Sequence, residues 1–300
     1  MGPIQGWRRF WRSGILIIRF VLFLYAATVI LAMLFEEYLI FPAPRPQDGY
    51  DNPLGLRFED VTFDAADGTR LHGWYFRDPQ ARGHILYCHG NAICVPQLAE
   101  FADWLRARTG YSVLVFDYRG YGRSQGRPRE AGVMTDGRAA RQWLCDREGI
   151  AGRDIVLMGR SIGGAVAVDL STDVPHRGLV LEATFSSLPE VAAVHFPVLP
   201  AQWLMRTRMN SAEKISRFQG RLLQMHGTAD EVVPLALGQR LHAAATCKKQ
   251  WVILEGVGHN EHWPEEYYVQ LDALLDELSS HKPAAGSDAT SHGMVPLPTN

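Results

Sequence analysis

The longest apolar run of the chain lies near its beginning. Residues 14–35 are apolar except for Arg19, Thr28 and the small residues among them. A helix of this length extends about 33 Å at a rise of about 1.5 Å per residue, which is enough to cross the hydrocarbon core of a bilayer. Because the run has no polar face, it fits a spanning helix better than a core helix. We therefore predict a transmembrane anchor over residues 14–35.

The charges around this run predict its orientation. Three arginines precede it within residues 1–13, and Glu36 and Glu37 follow it. The positive-inside rule then places residues 1–13 in the cytoplasm and the rest of the chain on the outer side, which is the periplasm in a bacterium. A cleaved signal peptide is an alternative, but the run is long for one and no convincing A-x-A site follows it. A helix lying flat in the interface would need a charged face, which this run lacks.

Beyond the anchor, short apolar runs alternate with amphipathic stretches. The runs predicted as strands are 56–63, 69–76, 84–90, 111–118, 154–159, 178–185, 221–227 and 250–256. Helical spacing follows at 96–108, 130–147, 163–170 and 264–280. A turn at Asp67 and Gly68 joins the first two strands as a hairpin. The later alternation predicts an α/β fold whose mainly parallel sheet is covered by helices on both faces.

Composition divides the rest of the chain. Residues 36–55 are predicted to be a linker, since most of them lie in a stretch rich in proline, glycine and aspartate. One domain is predicted over 56–282, and 283–300 is predicted to be a disordered tail without apolar period. The stretch 186–220 is too long for a normal crossover between two buried strands. We interpret it as a small cap over the active site; the alternative is an ordinary packing excursion with one extra helix.

Charge and cysteine content exclude several classes of function. The formal net charge is −2, with no basic excess to suggest a nucleic-acid partner. The four cysteines match neither a zinc site nor a dense disulfide framework, so buried or idle thiols are expected. Cys88 and Cys94 could pair in an oxidising compartment. The chain shows no metal-ligand cluster and no phosphate-binding loop, so we expect no metal and no cofactor.

A G-x-S-x-G motif carries the main chemical signal. Gly159, Ser161 and Gly163 lie directly between an apolar strand and an apolar helix. A sharp turn in this position forces the serine into a strained conformation, and its neighbours two residues away must be small. The turn also directs the N-terminus of the helix toward developing negative charge. Ser161 is therefore the predicted nucleophile.

The nucleophile needs a base and an acid, which this fold supplies later in the chain. Asp230 and His259 each follow a predicted strand, so both are expected at the same sheet edge as Ser161. Asp230 is the predicted orienting acid and His259 the predicted general base. Glu231 and His262 are weaker competitors, because their spacing from the strand ends is less suitable. Asp230 could instead cap the helix that starts near position 234.

Two backbone amides are predicted to form the oxyanion hole. One is that of Ile162, the residue after the nucleophile, and the other is that of Asn91, in the loop after the third strand. His89 in the same loop is expected to shape the loop rather than act as a second base. The turn from Asp117 to Ser124 could contact an acidic group through Arg119 or Arg123. We favour a structural turn with a partly buried ion pair there.

Five motifs in order, HGNA, FDYRGYGRSQGRP, GRSIGG, HGTADEVVP and GVGHN, resemble the α/β-hydrolase superfamily. More narrowly, the chain is similar to the membrane-anchored α/β-hydrolase-domain proteins, which carry one N-terminal helix before the hydrolase. The match covers roughly residues 36–280. The resemblance implies the α/β-hydrolase fold and acyl transfer through a serine nucleophile. Some relatives cleave lipid esters and others remove acyl groups from protein cysteines, so the resemblance implies the reaction class and leaves the substrate open.

The sequence thus predicts a membrane-anchored serine hydrolase that acts on a small-molecule or lipid ester or thioester through an acyl-enzyme. A serine peptidase of the same fold is one alternative, because the same triad cleaves amides. A catalytically silent, membrane-tethered binding module is the other, although the intact triad argues against it. Dehalogenase and epoxide chemistry are disfavoured, since an aspartate would be expected in place of Ser161.

Overall fold

The computed structural model describes residues 3–45, 50, 52 and 55–280. The predicted tail over 283–300 and the side chains of the arginines before the apolar run lie outside the described residues. The chain begins with helix α1, Pro3–Leu34, followed by the short helix α2, Glu36–Ile40. Within α1, the 22 residues Ser13–Leu34 have a mean hydropathy of 2.6 and none is buried. This helix is long and apolar enough to cross a membrane.

Eight strands form one sheet. They are β1 Glu59–Asp64, β2 Arg70–Phe76, β3 His84–Cys88, β4 Ser112–Asp117, β5 Ile155–Arg160, β6 Gly178–Glu182, β7 Arg221–Gly227 and β8 Lys249–Leu254. Their order is β1-β2-β4-β3-β5-β6-β7-β8. The hairpin β1–β2 is antiparallel and joins the sheet antiparallel to β4, whereas all pairs from β4 to β8 are parallel. The carboxyl ends of the parallel strands therefore meet at one edge.

Helices cover both faces of the sheet. The remaining helices are α3 Ala99–Thr109, α4 Glu130–Glu148, α5 Ile162–Ser171, α6 Leu188–His195, α7 Ala201–Leu204, α8 Ser211–Ile215, α9 Leu235–Ala244 and α10 Glu265–Ser280. One core cluster packs α4, α5, α8 and α9 against one face, and a second packs α3 and α10 against the other. The interiors of β3 to β7 are buried on both sides, which explains why these strands appear in the sequence as continuous apolar runs. The predicted fold is confirmed.

The insertion between β6 and β7 contains three short helices, α6, α7 and α8, rather than one. Residues 186–220, which include these helices, are named the cap. A backbone hydrogen bond of 2.9 Å from the amide of Leu188 to the carbonyl of Arg208 closes the part of the cap that contains α6 and α7. Prolines at 197 and 200 separate α6 from α7, whereas Pro189 lies in the first turn of α6, where proline is tolerated.

Part of the segment predicted to be a linker packs against the domain. Phe41 is buried in the core. Arg45 donates hydrogen bonds to the carbonyls of Gly120 at 2.7 Å and Gly126 at 3.0 Å. The carbonyl of Pro44 accepts one from Gly122 at 2.8 Å. Proline and glycine content predicts the irregular backbone of this segment, but it carries no information about the distant turn that supplies these partners.

Candidate active site

Ser161 occupies a strained turn between β5 and α5. Its backbone has φ +55° and ψ −121°, which a residue with a side chain rarely adopts. A Cβ atom on Gly159 would overlap the carbonyl oxygen of Gly163, and one on Gly163 would overlap the carbonyl oxygen of Cys88. Both glycines are therefore required for helix α5 to begin this close to β3 and β5. This is the local geometry that a G-x-S-x-G nucleophile turn needs.

The structure brings Asp230 and His259 together. His259 Nδ1 lies 2.7 Å from Asp230 Oδ2. The other oxygen, Oδ1, accepts hydrogen bonds from the amides of Val232 at 2.9 Å and Val233 at 2.7 Å. Asp230 therefore forms the turn that precedes α9 through one carboxylate oxygen and binds the imidazole through the other. The capping role and the proposed catalytic role are compatible, because each uses a different oxygen.

The three predicted residues share one edge of the sheet. Ser161 follows β5, Asp230 follows β7 and His259 follows β8, with only β6 between the first two strands. Within the described range 55–280, no hydrogen bond joins the Ser161 hydroxyl to His259. In unliganded sites this hydrogen bond is often long and tightens when substrate binds. The structure thus joins the acid to the base directly, and it places the serine on the same edge.

The competing residues are less suited to these roles. Glu231 and His262 are both exposed, whereas Asp230 is 8% exposed. An exposed carboxylate gains little from pairing because water screens it. The side chain of His259 is 9% exposed, so the imidazole keeps a route to the surface while its Nδ1 is held.

A second histidine, His226, contacts the carboxylate of Asp230 from the interior of the domain. His226 is fully buried, and its Nε2 lies 2.8 Å from the carbonyl of Val233 and 3.3 Å from Asp230 Oδ2. Burial raises the pKa of Asp230, but the hydrogen bonds from His226 and His259 outweigh burial and hold this pKa well below its ordinary value. Asp230 is therefore a carboxylate at neutral pH.

The loop after β3 lies against the nucleophile. A Cβ atom built on Gly90 would be 3.6 Å from Ser161 Cβ. Asn91 is held by three hydrogen bonds: its Nδ2 donates to the carbonyl of Ile40 at 2.6 Å, and its Oδ1 accepts from Tyr121 Oη at 2.6 Å and from the amide of Ala92 at 3.0 Å. The side chain of Asn91 therefore fixes the loop, which leaves the backbone amide as the group available for an oxyanion.

The amide of Ile162 belongs to the first turn of α5. Amides in the first turn of a helix have no acceptor within the helix and point along its axis toward the N-terminal end. Ile162 therefore follows Ser161 at the start of α5, and Asn91 follows Gly90, the loop residue that lies next to Ser161.

His89 shapes the loop, as predicted. It is fully buried against Tyr118, and its Nδ1 lies 2.7 Å from the carbonyl of Gly90. Burial lowers the pKa of His89, which favours the neutral imidazole. The predicted structural ion pair is also confirmed, since Arg119 lies 2.8 Å from the fully buried Asp136 and 2.7 Å from Asp67.

Sequence reasoning missed two charged residues next to the site. Arg160, the variable residue before the nucleophile, places its guanidinium 4.4 Å from the ring centroid of Trp263 and donates to the carbonyl of His259. Glu182, its partner in the register of β5 and β6, is fully buried and accepts a hydrogen bond of 2.6 Å from Tyr267 Oη. The only sequence signal for these two residues was the charged residue within G-x-S-x-G. Their partners could not be recognised in the sequence, because strand register and the fold bring them together.

The described residues contain no group of three or more His, Cys, Asp and Glu side chains arranged to hold a metal ion. All four cysteines are free. Burial raises the pKa of Cys88 to about 12 and that of Cys94 to about 11, so neither is a reactive thiolate at neutral pH.

Comparison with known proteins agrees with this architecture. A family model described as serine aminopeptidase, S33, matches residues 79–211. The chain is 41% identical over 243 residues to the uncharacterized protein MT2364 of Mycobacterium tuberculosis, covering 80% of this chain and 85% of that protein. It is 30% identical over 244 residues to the alpha/beta hydrolase domain-containing protein WAV2 of Arabidopsis thaliana, covering 74% of this chain and 79% of that protein.

Among solved structures, the esterase Pf2001 of Pyrococcus furiosus matches with a TM-score of 0.65 and 20% identity, over 79% of this chain and 99% of that chain. At this identity the similarity shows the fold. Together with the sequence relatives, it shows that the chain belongs to the α/β-hydrolase superfamily.

Proposed function

We propose that this protein is a serine hydrolase that cleaves carboxylic esters or thioesters, and that helix α1 anchors it in a membrane. The observation that carries the proposal is the 2.7 Å hydrogen bond between Asp230 and His259 at the sheet edge where Ser161 occupies its strained turn. A nucleophile, a base and an acid in this arrangement define acyl transfer through a covalent intermediate.

The tautomer of His259 follows from its partner. An ionised Asp230 only accepts hydrogen bonds, so Nδ1 of His259 carries the proton in the 2.7 Å contact. Nε2 is then left as the basic nitrogen. In the first step, Nε2 takes the proton from Ser161 as its oxygen attacks the substrate carbonyl, and Asp230 stabilises the imidazolium that forms.

The tetrahedral intermediate carries its negative charge on the former carbonyl oxygen. The amides of Ile162 and Asn91 are the proposed donors to this oxygen, each worth about 3 kcal/mol in such sites. His259 returns its proton to the leaving alcohol or thiol, which departs and leaves an acyl-enzyme on Ser161. Water then attacks the acyl-enzyme by the same route and releases the acid.

Contacts between the apolar helix and the cap support a retained anchor over a signal sequence. Glu36, directly after α1, accepts hydrogen bonds from the amides of Arg206 at 3.0 Å and Thr207 at 2.6 Å. Burial raises the pKa of Glu36, but these backbone hydrogen bonds outweigh it and lower the pKa overall. Arg206 Nη2 also donates a 2.8 Å hydrogen bond to the carbonyl of Met33 within α1, and removal of α1 would leave this donor without its acceptor. The proposed orientation keeps the basic N-terminus in the cytoplasm and the hydrolase domain outside.

A serine peptidase is the second candidate, because the matching family model is described as a serine aminopeptidase. The same residues would then attack an amide carbonyl. The two reactions differ in the leaving group: His259 would protonate a leaving amine in the peptidase and a leaving alcohol or thiol in the esterase or thioesterase.

The test is turnover by the full chain in detergent with p-nitrophenyl butyrate, an acyl thioester and an aminoacyl p-nitroanilide. We expect the first two to be hydrolysed, and Ser161→Ala to lower kcat by about 10⁶-fold. Ser216→Ala, on the exposed end of α8, is the matched control and should keep the wild-type rate. Hydrolysis of the anilide alone would favour the peptidase, and equal rates for Ser161→Ala and the parent would contradict the proposed nucleophile.

A further inference from the structure

An apolar groove separates the apolar helix from the cap. Its volume is about 370 Å³, within the range of ligand pockets. One wall is a single face of α1 and α2, and the other is formed by α6, α7 and the loop between them. Lining residues include Val29, Met33, Ile40, Phe196, Leu199 and Leu204.

Only one charged side chain, Glu36, lines the described groove. Its carboxylate already accepts hydrogen bonds from the amides of Arg206 and Thr207, and Arg206 Nε lies 3.5 Å away as a counter-charge. The groove therefore offers no unpaired polar group to a ligand there. Its chemistry fits a hydrocarbon chain.

The cap contacts α1 within its apolar segment, more than one helical turn before the C-terminal end of α1. Tyr25 Oη donates a 2.8 Å hydrogen bond to the carbonyl of Val198. Tyr25 is nine residues before Leu34, the end of α1, which corresponds to about 13 Å along the helix axis. If α1 spans a bilayer, the cap loop at Val198 lies at the depth of the acyl chains or headgroup boundary, and the groove opens to the same layer.

The outer surface of the cap has the composition of a membrane-facing surface. Phe196 is 57% exposed, Val198 75% and Trp203 84%. Clustered apolar side chains of this kind are rare on surfaces that face water, whereas aromatic residues are enriched at membrane interfaces. The patch adjoins α1, so one layer of lipid would cover both.

Two hydrogen bonds link the walls of the groove to loops of the candidate active site. Ile40, which lines the groove, accepts the 2.6 Å hydrogen bond from the side chain of Asn91. On the cap side, His195 Nε2 lies 2.9 Å from the carbonyl of Val232, two residues after Asp230. Both walls of the groove are therefore attached to the loops that hold the proposed oxyanion donor and acid.

We propose that this groove binds the acyl chain of a membrane lipid, which enters sideways from the bilayer and presents its ester carbonyl to Ser161. The inference rests on the proposed function and names its substrate class. The spanning helix is then part of the substrate site as well as an anchor, since residues of α1 form one wall of the groove.

The first test is independent of turnover. Full-length Ser161→Ala protein is reconstituted in phosphatidylcholine vesicles that contain a phosphatidylcholine with a diazirine in its acyl chain, and then irradiated. We expect crosslinks on the inward-facing side chains of the groove, such as Ala192 and Leu204, in addition to the outer face of α1. Labelling confined to the outer face of α1 would overturn the lipid assignment. So would labelling of the groove that appears only when a photoreactive S-palmitoyl peptide replaces the phosphatidylcholine probe.

The second test narrows the groove. Ala201 lines it, whereas the neighbouring Gln202 is exposed on the same short helix and does not. Ala201→Trp should lower the ratio of kcat/KM for a palmitoyl ester to that for an acetyl ester by at least about 10-fold, because it fills the channel. Gln202→Trp adds the same bulk outside and should leave the ratio unchanged.

The outcomes separate this inference from the proposed function. Hydrolysis by the parent with an unchanged chain-length ratio in Ala201→Trp would overturn the groove while leaving the serine hydrolase intact. Absence of ester and thioester hydrolysis in the parent would overturn the proposed function, and the crosslinking result would still decide whether lipid occupies the groove. Labelling of Ser161 by a fluorophosphonate in Ala201→Trp and Gln202→Trp verifies that the site is folded.

Discussion

Asp230 makes the strongest residue-level link between fold and chemistry. One oxygen forms the turn before α9 and the other binds His259, so the same carboxylate builds the loop and orients the proposed base. Because its pKa is lowered in the folded state, its stabilising contribution is fully present above the ordinary aspartate pKa of about 4 and is lost as pH falls further. An acid limb of activity between pH 5 and 7 would therefore not arise from Asp230.

Replacing this carboxylate should separate its two roles. Asp230→Asn keeps the shape but permits the wrong tautomer of His259, so we expect kcat to fall by about 10⁴-fold. The stability difference between the parent and this variant should shrink as pH falls below about 4, because Asp230 of the unfolded parent takes up a proton there while the folded parent, whose pKa is lowered, does not. Steady-state kinetics and denaturant unfolding at several pH values measure both effects. Glu231→Gln, which alters the exposed neighbour, should change neither.

We expect Arg160 to position His259, the proposed base. Its guanidinium lies over Trp263 and holds the carbonyl of His259. Arg160→Gln removes the cation and should let the His259 loop shift, lowering kcat by about 10- to 100-fold with a smaller effect on KM. Arg160→Lys, which keeps the charge, should recover part of the loss. Equal kinetics for Arg160→Gln and the exposed control Arg217→Gln would show that the loop needs no such support.

At the scale of elements, the close approach of α5 to β3 determines the position of Ser161, the proposed nucleophile. Gly163→Ala would place a methyl group on the carbonyl oxygens of Cys88 and His89, which are backbone atoms that cannot rotate away. We expect a loss of about 1–3 kcal/mol in the free energy of unfolding together with loss of activity. Urea denaturation measures the first effect. Gly152→Ala, whose nearest neighbour is the flexible side chain of Val174, should cost far less.

The sheet was predictable because its signal is local. The parallel strands β3 to β7 are buried on both faces and appear as short apolar runs, and all observed strands fall within the predicted runs or within one residue of them. The strained turn at Ser161 was also predictable, since the two glycines of the motif are required by the geometry itself.

Other features depend on partners distant in sequence. Two examples are the hydrogen bonds from Arg45 to the 120–126 turn and the contact of Arg160 with Trp263. Such contacts can be predicted only once the sheet order is known. The three-helix form of the cap was also missed, because short interrupted helices carry little periodic signal. His226 illustrates the same limit: in the sequence it is one histidine in a buried strand, and only its place beneath Asp230 gives it a role.

At the scale of the whole molecule, the apolar helix α1 and the hydrolase domain meet through the cap. The contacts of Tyr25 with Val198 and of Glu36 with Thr207 connect the two parts directly. A helix tied to the domain in this way would determine which side of the cap faces lipid. Membrane attachment and substrate access would then depend on one structural arrangement.

Membrane attachment can be tested separately from catalysis. We expect the full chain to stay in the pellet after an alkaline carbonate wash, since 22 apolar residues span the bilayer, and a variant lacking residues 1–35 to be released. Fractionation followed by immunoblotting measures this. A mature protein whose N-terminus lies after residue 35 would identify α1 as a removed signal sequence instead.

The covalent adduct that the full chain forms with a fluorophosphonate tests the proposed nucleophile most directly. We expect its mass to show one modification per chain, located by peptide mapping at Ser161 and absent from Ser161→Ala. Labelling should be much slower in Asp230→Asn, because His259 activates the hydroxyl. An adduct on another side chain, or equal labelling of Ser161→Ala, would contradict the assignment of Ser161 as the nucleophile.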